Sequence, residues 1–328
     1  MAKADQVKAL IRTHAEGDDE RFYAIAMQVA AAAARQGHGK FAQELRDLID
    51  QARATRAAAR GQQTRAVPIV QPRGELAGLL SANYPKTRFA DMTLGEGLRV
   101  RLDRVLVEQR GRARIREHGL SPMRKLLLIG PPGTGKTMTA AALAGELGLP
   151  LFSIQLDALI TKFLGETAAK LRLIFDAIRE TRAVYLFDEF DALGAERGAK
   201  NEVGEIRRVL NSFLQFMEQD DSDSLIIAAT NHPRLLDRAL LRRFDAVLRY
   251  ELPSHAEAER VVQDRLALLD TSTISWQAIV DASAGLSHAE LSRAAQQAAK
   301  HAILEHRSAV WTDELVQALH DRRSAHSE

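Results

Sequence analysis

The sequence predicts an α/β fold with a parallel five-stranded sheet, preceded by a small all-helical bundle and followed by a helical lid. Apolar runs typical of buried strands occur at 126–129, 151–154, 183–187, 225–229 and 246–250, and segments of helical period separate them. This alternation is typical of a parallel sheet covered by helices on both faces. The apolar positions of the two end regions follow only the helical period, which predicts helices on either side of the sheet.

Residues 1–60 are predicted to form three short helices, separated by polar or glycine-containing breaks at 16–19 and 37–39. The residues predicted to share one face of each helix are Val7, Leu10, Ile11 and His14; Phe22, Ala26, Val29, Ala30 and Ala33; and Phe41, Leu45, Leu48, Ile49 and Ala52. Residues 61–85 have no steady period and contain several prolines and glycines, so we expect a linker there.

The helical lid is predicted at residues 254–328. Two pairs, Ser254 with Glu257 and Ser287 with Glu290, have the spacing of a capping box, which marks the start of a helix. Thr312 is expected to cap a last helix. The sheet-bearing region then occupies residues 86–253.

Composition excludes several classes of protein. The chain of 328 residues contains no cysteine, which excludes disulfides and thiolate metal sites. No apolar run approaches the ~18 residues of a membrane span, and the polar start of the chain is unlike a signal peptide, so we expect a cytoplasmic protein without membrane contact. The 45 basic and 43 acidic residues leave a net charge of +2, which gives no reason to expect nucleic acid as a partner.

The most specific motif is Gly-Pro-Pro-Gly-Thr-Gly-Lys-Thr at residues 130–137, which we call the phosphate loop. It lies between a predicted buried strand and an Ala-rich predicted helix. Glycines allow backbone N–H groups to turn around an anion, and a helix N-terminus favours negative charge. In such a loop Lys136 reaches the β- and γ-phosphates and the Thr137 hydroxyl binds Mg²⁺. The sequence therefore predicts a site for a nucleoside triphosphate.

Two further predicted strands end in polar residues that suit this chemistry. Asp188 and Glu189 follow one strand, where one carboxylate can hold Mg²⁺ and the other can polarise a water for attack on the γ-phosphate. Asn231 follows the next strand, and its amide could orient that water. From the residues alone, Arg242 and Arg243 are equally consistent with surface arginines and with arginines that stabilise the transferring phosphoryl group.

Five segments in a fixed order resemble the classical AAA+ ATPases, the clade of katanin, spastin and bacterial single-ring relatives. They are residues 130–137, 188–192, 228–231, 236–245 and 285–291. The resemblance covers roughly residues 86–325 and does not extend to residues 1–60. It implies an AAA+ core, with a large nucleotide-binding subdomain at 86–253 and a lid subdomain at 254–328. It also implies ATP, Mg²⁺ and a homohexameric ring.

The resemblance assigns roles to individual residues, with Lys136 in the Walker A motif, Asp188 and Glu189 in the Walker B motif, and Asn231 as sensor 1. The residues implied to contact ATP are Met92, Thr93, Pro132, Gly133, Thr134, Gly135, Lys136, Thr137, Met138 and His288. The implied Mg²⁺ ligands are Thr137 and Asp188, and the implied catalytic residues are Glu189, Asn231, Arg242 and Arg243. The two arginines would act as fingers on ATP bound by the neighbouring subunit.

Two departures from the family pattern leave questions open. The family often has Arg-Pro-Gly-Arg-Phe-Asp where this chain has only Arg-Arg-Phe-Asp at 242–245, so the sequence does not decide which arginine contacts the γ-phosphate. His288 stands where many relatives carry glycine. It is either beside the nucleotide or an exposed residue in the first turn of a helix.

Lys162, Phe163 and Leu164 resemble pore loop 1 of the family, in which an aromatic beside an aliphatic side chain grips an unfolded polypeptide in the central channel. Phe163 stands where tyrosine or tryptophan is common, and the change keeps the apolar contact. Residues 195–204 are a weaker candidate for a second pore loop.

These features predict an ATP-hydrolysing hexameric motor that unfolds, disassembles or remodels protein substrates threaded through its pore. One alternative is an AAA+ switch on nucleic acid, of loader or transposition-regulator type, which the arginines between 53 and 73 and a basic isoelectric point would support. Another is an ATPase that serves a separate protease or effector. Residues 1–60 resemble the docking domains of katanin-like ATPases in size and helical pattern only, which predicts a docking role without naming a partner.

Overall fold

The computed structural model of the chain describes Gln43 and residues 71–159, 164–193, 200–235 and 238–325. The chain divides into two compact units, Met1–Val70 and Gln71–Glu328, and all described residues except Gln43 belong to the second. The predicted three-helix domain at 1–60 therefore lies, apart from Gln43, outside the described residues. In the described part of the chain, no helix combines the length and apolar character that crossing a membrane requires.

A mostly parallel six-stranded sheet forms the centre of the second unit. Its strands are β1 (Leu80–Asn83), β2 (Lys125–Ile129), β3 (Leu151–Ile154), β4 (Val184–Phe187), β5 (Leu225–Thr230) and β6 (Ala246–Arg249). They lie in the order β1-β3-β4-β5-β2-β6. Strands β2 to β6 are parallel to one another, and β1 is antiparallel to β3. The five strands predicted from apolar runs are confirmed. Every residue of β4 and β5 is buried, as expected for a sheet covered on both faces.

The sixth strand, β1, lies in the stretch that we expected to be a linker. Leu80 pairs with Ile154 of β3, and the N–H of Gln155 donates to the carbonyl of Leu79 at 2.9 Å. Only one of the four β1 residues, Leu80, is buried. An edge strand held mainly by backbone hydrogen bonds has a weak side-chain pattern, which is why periodicity did not reveal it.

Helices cover the sheet and continue beyond it. They are α1 (Glu96–Arg110), α2 (Arg112–Glu117), α3 (Lys136–Leu147), α4 (Leu156–Leu159), α5 (Leu164–Glu180), α6 (Lys200–Gln219), α7 (Arg238–Leu241), α8 (His255–Leu266), α9 (Trp276–Ala282), α10 (His288–Leu304) and α11 (Thr312–Ser324). Short 3₁₀ turns occur at Gly74–Gly78, Phe89–Asp91, Phe190–Leu193 and Pro233–Leu235.

Alternate residues of β4 face the two helical layers. Val184 and Leu186 belong to the core formed with α1 and α3. On the opposite face, Phe187 stacks edge-on against Phe213 of α6, with ring centroids 5.0 Å apart, and Phe213 lies 4.9 Å from the ring of Phe190. Residues 188 and 189 are therefore held between two buried phenylalanines.

The lid, helices α8 to α11, has its own apolar core, to which α10 contributes mainly alanines that allow close helix packing. Both predicted capping boxes are confirmed: the hydroxyl of Ser254 accepts from the N–H of Glu257, and that of Ser287 accepts from the N–H of Glu290. Thr312 differs from its prediction, because Trp311 is the N-cap of α11. The Thr312 hydroxyl instead accepts from the N–H of Ser275 at 3.0 Å.

Candidate nucleotide-binding site

The phosphate loop connects the carboxyl end of β2 to the N-terminus of α3. Gly133 and Gly135 have φ of +74° and +97°, in the left-handed region that favours glycine, and Gly135 is the N-cap of α3. Gly130 is required for a different reason: a Cβ there would lie 2.4 Å from the carbonyl oxygen of Tyr250. The loop thus forms a concave backbone surface at a helix N-terminus, which suits phosphate.

Lys136 lies folded against this loop. Its Nζ donates to the carbonyl oxygens of Gly130 and Pro131, both at 2.7 Å. Burial lowers the pKa of Lys136, and the nearby carboxylates of Asp188 and Asp191 oppose that effect. The ammonium group is thus confined to the loop interior, from which phosphate oxygens could replace the two carbonyls.

Thr137 and Asp188 bring two oxygen ligands together. The Thr137 hydroxyl donates to Oδ2 of Asp188 at 2.6 Å, although the two residues come from different elements, α3 and the end of β4. A hydroxyl and a carboxylate oxygen are the donors that Mg²⁺ prefers. These residues fit the predicted metal ion.

Glu189 has an unusual backbone conformation, with φ of +50°. For a non-glycine residue this region costs about 1–3 kcal/mol and persists only where the surroundings impose it. Here the N–H of Glu189 donates to Oδ1 of Asp188 at 3.0 Å, and the buried rings on either side fix the chain. The Glu189 side chain is exposed and lines the cavity described below.

The end of β5 is fixed by Asp191. Its Oδ1 accepts from the Thr230 hydroxyl at 2.8 Å and from the N–H of Asn231 at 3.4 Å. Asp191 thereby links the segment after β4 to the segment after β5. The two strand ends that carry Glu189 and Asn231 are held at one edge of the sheet.

A cavity of about 720 Å³ lies at this edge, between the sheet and the lid. The predicted residues that line it are Met92, Thr93, residues 132–138, Asp188, Glu189, Asn231 and His288. Sequence reasoning placed all of these at a nucleotide, and the structure brings them around one space. Their individual roles stay predictions.

Five lid residues that line the cavity were missed, three on α8 and two, Ala289 and Ser292, on α10. Val261, Asp264 and Arg265 lie at i, i+3 and i+4 of α8 and so share one face. Oδ2 of Asp264 accepts from the Thr93 hydroxyl at 3.4 Å, and Nε of Arg265 donates to the Ser292 hydroxyl at 3.4 Å. The i, i+3, i+4 spacing was visible in the sequence, but nothing in it indicated that this face turns towards the phosphate loop.

The lid touches the phosphate loop directly at the start of α10. The N–H of Ala289 donates to the carbonyl of Gly133 at 3.0 Å, and a Cβ on Gly133 would lie 2.4 Å from the Ser287 hydroxyl. His288 is half-buried and lines both this cavity and a second one of about 520 Å³. Burial lowers the pKa of His288, although Glu257 opposes this, and its buried Nδ1 has no partner among the described residues.

Arg242 and Arg243 do not line the cavity. They lie in the turn before β6, at the amino edge of the parallel strands, whereas the phosphate loop is at the carboxyl edge. Arg242 is exposed, and Nε of Arg243 donates to Oε1 of Glu218 at 2.5 Å. Of the predicted pore loop, Lys162 and Phe163 lie outside the described residues, and Leu164 begins α5.

Comparisons with known proteins agree with this geometry. Residues 126–252 match the AAA family, the ATPase family associated with various cellular activities. ATP-dependent zinc metalloproteases named FtsH are also similar. The protein of Acidothermus cellulolyticus is 33% identical over 236 residues, 68% of this chain and 35% of that protein. FtsH 1 of Salinibacter ruber is 38% identical over 203 residues, 59% of this chain and 29% of that protein. The chain thus spans about a third of the length of these FtsH relatives.

An uncharacterized AAA family ATPase of Sinorhizobium fredii is similar over a longer stretch. It is 35% identical over 325 residues, which cover 98% of this chain and 96% of that protein. Similarity of this extent includes most of residues 1–60 as well as the sheet and the lid. A match along nearly the whole of both chains, together with the family match across the sheet, shows that this chain is a member of the AAA ATPase family.

Proposed function

We propose that the chain assembles into a homohexameric ring, hydrolyses ATP at sites shared between neighbouring subunits, and uses the energy to remodel protein substrates. The observation that carries this proposal is the separation of the two halves of the predicted catalytic set. The phosphate loop, Asp188, Glu189 and Asn231 surround one cavity, while Arg242 and Arg243 lie at the opposite edge of the sheet.

The distance between the two edges supports completion of the site by a neighbour. Asp245, which follows the arginines, donates its N–H to the carbonyl of Lys125 at the start of β2, and Ile129 at the end of β2 leads into the phosphate loop. At roughly 3.3 Å per residue, these ends are about 13 Å apart. Arginines at the far end of the strand are better placed for the nucleotide of a second copy.

In the proposed reaction Glu189 takes a proton from a water held by Asn231, and the water oxygen attacks the γ-phosphorus. The bond from that phosphorus to the β,γ-bridging oxygen breaks, and the electron pair leaves with ADP. Lys136 binds the phosphates, and Thr137 with Asp188 would hold Mg²⁺, which neutralises phosphate charge when bound. The neighbour's guanidinium stabilises the charge that develops on the transferring group.

Glu189→Gln tests the hydrolytic part. We expect unchanged ATP affinity and a kcat lower by at least about a hundredfold, because the amide cannot accept the proton. Glu117→Gln, an exposed acid on α2, is the matched control. Stable rings that trap ATP in the Glu189 variant, measured by light scattering with bound-nucleotide analysis, support the assembly. Normal turnover by this variant would remove Glu189 from its role.

The protein-remodelling part rests on the resemblance of residues 162–164 to a pore loop and on the similarity to ATP-dependent proteases. This sequence has no His-Glu-x-x-His run of the zinc-protease type, so we propose remodelling, with any proteolysis left to a partner. Residues 1–60 are the proposed partner-docking domain. Unfolding of a tagged reporter should be lost in Phe163→Ala and kept in Phe163→Tyr, with ATP hydrolysis measured alongside. Unfolding by the alanine variant at the wild-type rate would exclude threading past this residue.

A further inference from the structure

The turn that carries the two arginines is fixed to the amino end of β2. Oδ2 of Asp245 accepts from the backbone N–H groups of Arg124 and Lys125, at 2.8 Å and 2.9 Å. The N–H of Asp245 donates back to the carbonyl of Lys125 at 2.8 Å, and Phe244 is buried. The backbone on the C-terminal side of Arg243 is thus held by three hydrogen bonds. The guanidinium groups of the two arginines are placed by the contacts that their own side chains make.

The end of α6 is fixed to the same place. The guanidinium of Arg124 bonds to both the carboxylate and the carbonyl of Asp220, which is buried, and Nζ of Lys125 donates to the carbonyl of Met217. Glu218 lies between Met217 and Asp220, in the last turn of α6. Its carboxylate is therefore presented from a fixed support rather than from a free helix end.

The two arginines differ in what they contact. Nε of Arg243 donates to Oε1 of Glu218 at 2.5 Å, and the exposed fraction of the Arg243 side chain is 35%. Arg242 is exposed and has no hydrogen-bond or ion-pair partner among the described residues. A charge-assisted bond at this distance holds one guanidinium against the protein surface, while the adjacent one stays available to another molecule.

We propose that Glu218 is a positioning residue for the arginine turn: it holds Arg243 against the end of α6, so that Arg242 is the guanidinium that reaches ATP on the neighbouring subunit. This rests on the proposed shared site. Arg242 is then the catalytic residue of the pair, because it contacts the phosphates, and Arg243 acts through the orientation of the turn. The Pro-Gly that often separates the two arginines in the family is missing here, so Arg242 and Arg243 are adjacent in the chain. Adjacent side chains leave the backbone in different directions, so the two guanidinium groups are not expected to reach the same phosphate.

Single substitutions separate the three roles by kcat and by affinity for a fluorescent ATP analogue. Arg242→Ala is expected to lower kcat by at least about a hundredfold, the scale of a lost arginine finger, with the analogue's Kd unchanged. Glu218→Gln, a neutral isostere, weakens the contact that holds Arg243, on the side of the turn that Asp245 does not fix, so it should misplace the adjacent Arg242 and lower kcat by about tenfold, again with Kd unchanged. Asp221→Asn, an exposed acid three residues further on, is the control and should keep the wild-type kcat.

A charge exchange gives the sharper test. Glu218→Arg combined with Arg243→Glu keeps an ion pair of opposite direction, so we expect kcat to return to within about threefold of wild type if the pair only positions Arg242. A folded exchange variant with the kcat of an Arg242→Ala variant would mean that Arg243 itself contacts phosphate, and would overturn the proposal. If the exchange variant does not fold, wild-type kcat in folded Glu218→Gln overturns it equally.

Mixing experiments test the shared nucleotide site separately from the positioning role of Glu218. Inactive Glu189→Gln subunits retain their arginines, and inactive Arg242→Ala subunits retain their own sites. Activity regained on mixing the two shows that the arginine acts on a neighbour. If no activity returns while the charge exchange restores kcat, the shared site fails and the positioning role of Glu218 within one chain stands. If mixing restores activity and the exchange does not, only the role of Glu218 fails.

Discussion

Gly133→Ala measures how closely the phosphate loop approaches the lid. The substitution has two separable effects. Alanine at φ of +74° is strained, which costs about 1–2 kcal/mol for a residue with a Cβ. The new Cβ also lies 2.4 Å from the Ser287 hydroxyl and 3.1 Å from the Ala289 Cβ, well inside normal contact. Overpacking of this kind adds about 1–3 kcal/mol. We therefore expect the free energy of unfolding to fall by about 2–5 kcal/mol.

A second glycine supplies the matched control. Gly148, which ends α3, has φ of +63°, but no atom lies within 4 Å of its hypothetical Cβ. Gly148→Ala should therefore show the backbone strain alone, about 1–2 kcal/mol. The difference between the two variants isolates the contact between loop and lid. The lid can also relieve the clash by moving away, which would break the bond from the Ala289 N–H to the Gly133 carbonyl and weaken nucleotide binding.

The assay is urea unfolding of both variants, together with titration of a fluorescent ATP analogue. Gly133→Ala should lose more stability than Gly148→Ala, and it should bind the analogue at least about tenfold more weakly if the lid is displaced. Equal stability losses, within about 0.5 kcal/mol, combined with wild-type nucleotide affinity would refute the close approach of lid and loop.

Three further predictions concern buried polar groups. Asp220→Ala leaves the Arg124 guanidinium buried without its carboxylate and should cost about 3–5 kcal/mol in urea unfolding; a loss below about 1 kcal/mol would contradict the buried pair. Thr139→Val removes the acceptor of the buried Tyr250 hydroxyl and should lower the free energy of unfolding by about 1–3 kcal/mol. In a Tyr250→Phe background the same substitution should cost less, and additive losses for the two substitutions would exclude the coupling. Burial lowers the pKa of His288 below its ordinary 6.5, so the unfolded chain binds this proton more readily than the folded chain. The free energy of unfolding should therefore fall as pH drops below about 6.5, and His288→Gln should flatten that dependence. An unchanged pH dependence in the variant would contradict this prediction.

Local motifs allowed the centre of the site to be predicted. The phosphate loop requires glycine at fixed positions and must follow a buried strand, so the residue types alone locate it. Asp188, Glu189 and Asn231 follow other strands of a parallel sheet. Since carboxyl ends of parallel strands share one edge, their convergence on the cavity also followed from the strand pattern.

Features that depend on contacts between distant segments could not be predicted in this way. The strand β1 is specified by backbone pairing with β3, which leaves little trace in side-chain periodicity. Asp264 and Arg265 enter the cavity only because the lid packs on the phosphate loop. Glu218 is an ordinary helix-surface acid in the sequence, and its contact with Arg243 depends on where α6 ends against β2.

The strand β2 connects these two sets of residues. One end continues into the loop that would hold ATP, and the other end carries the hydrogen bonds to the arginine turn. In a ring of such chains, each copy of β2 would be a rigid rod about 13 Å long that joins one nucleotide site to the next. Because the rod has distinct ends and every copy would point the same way, each nucleotide site in the proposed ring would face the arginine turn of one neighbour, and coupling between the two sites would be felt at both.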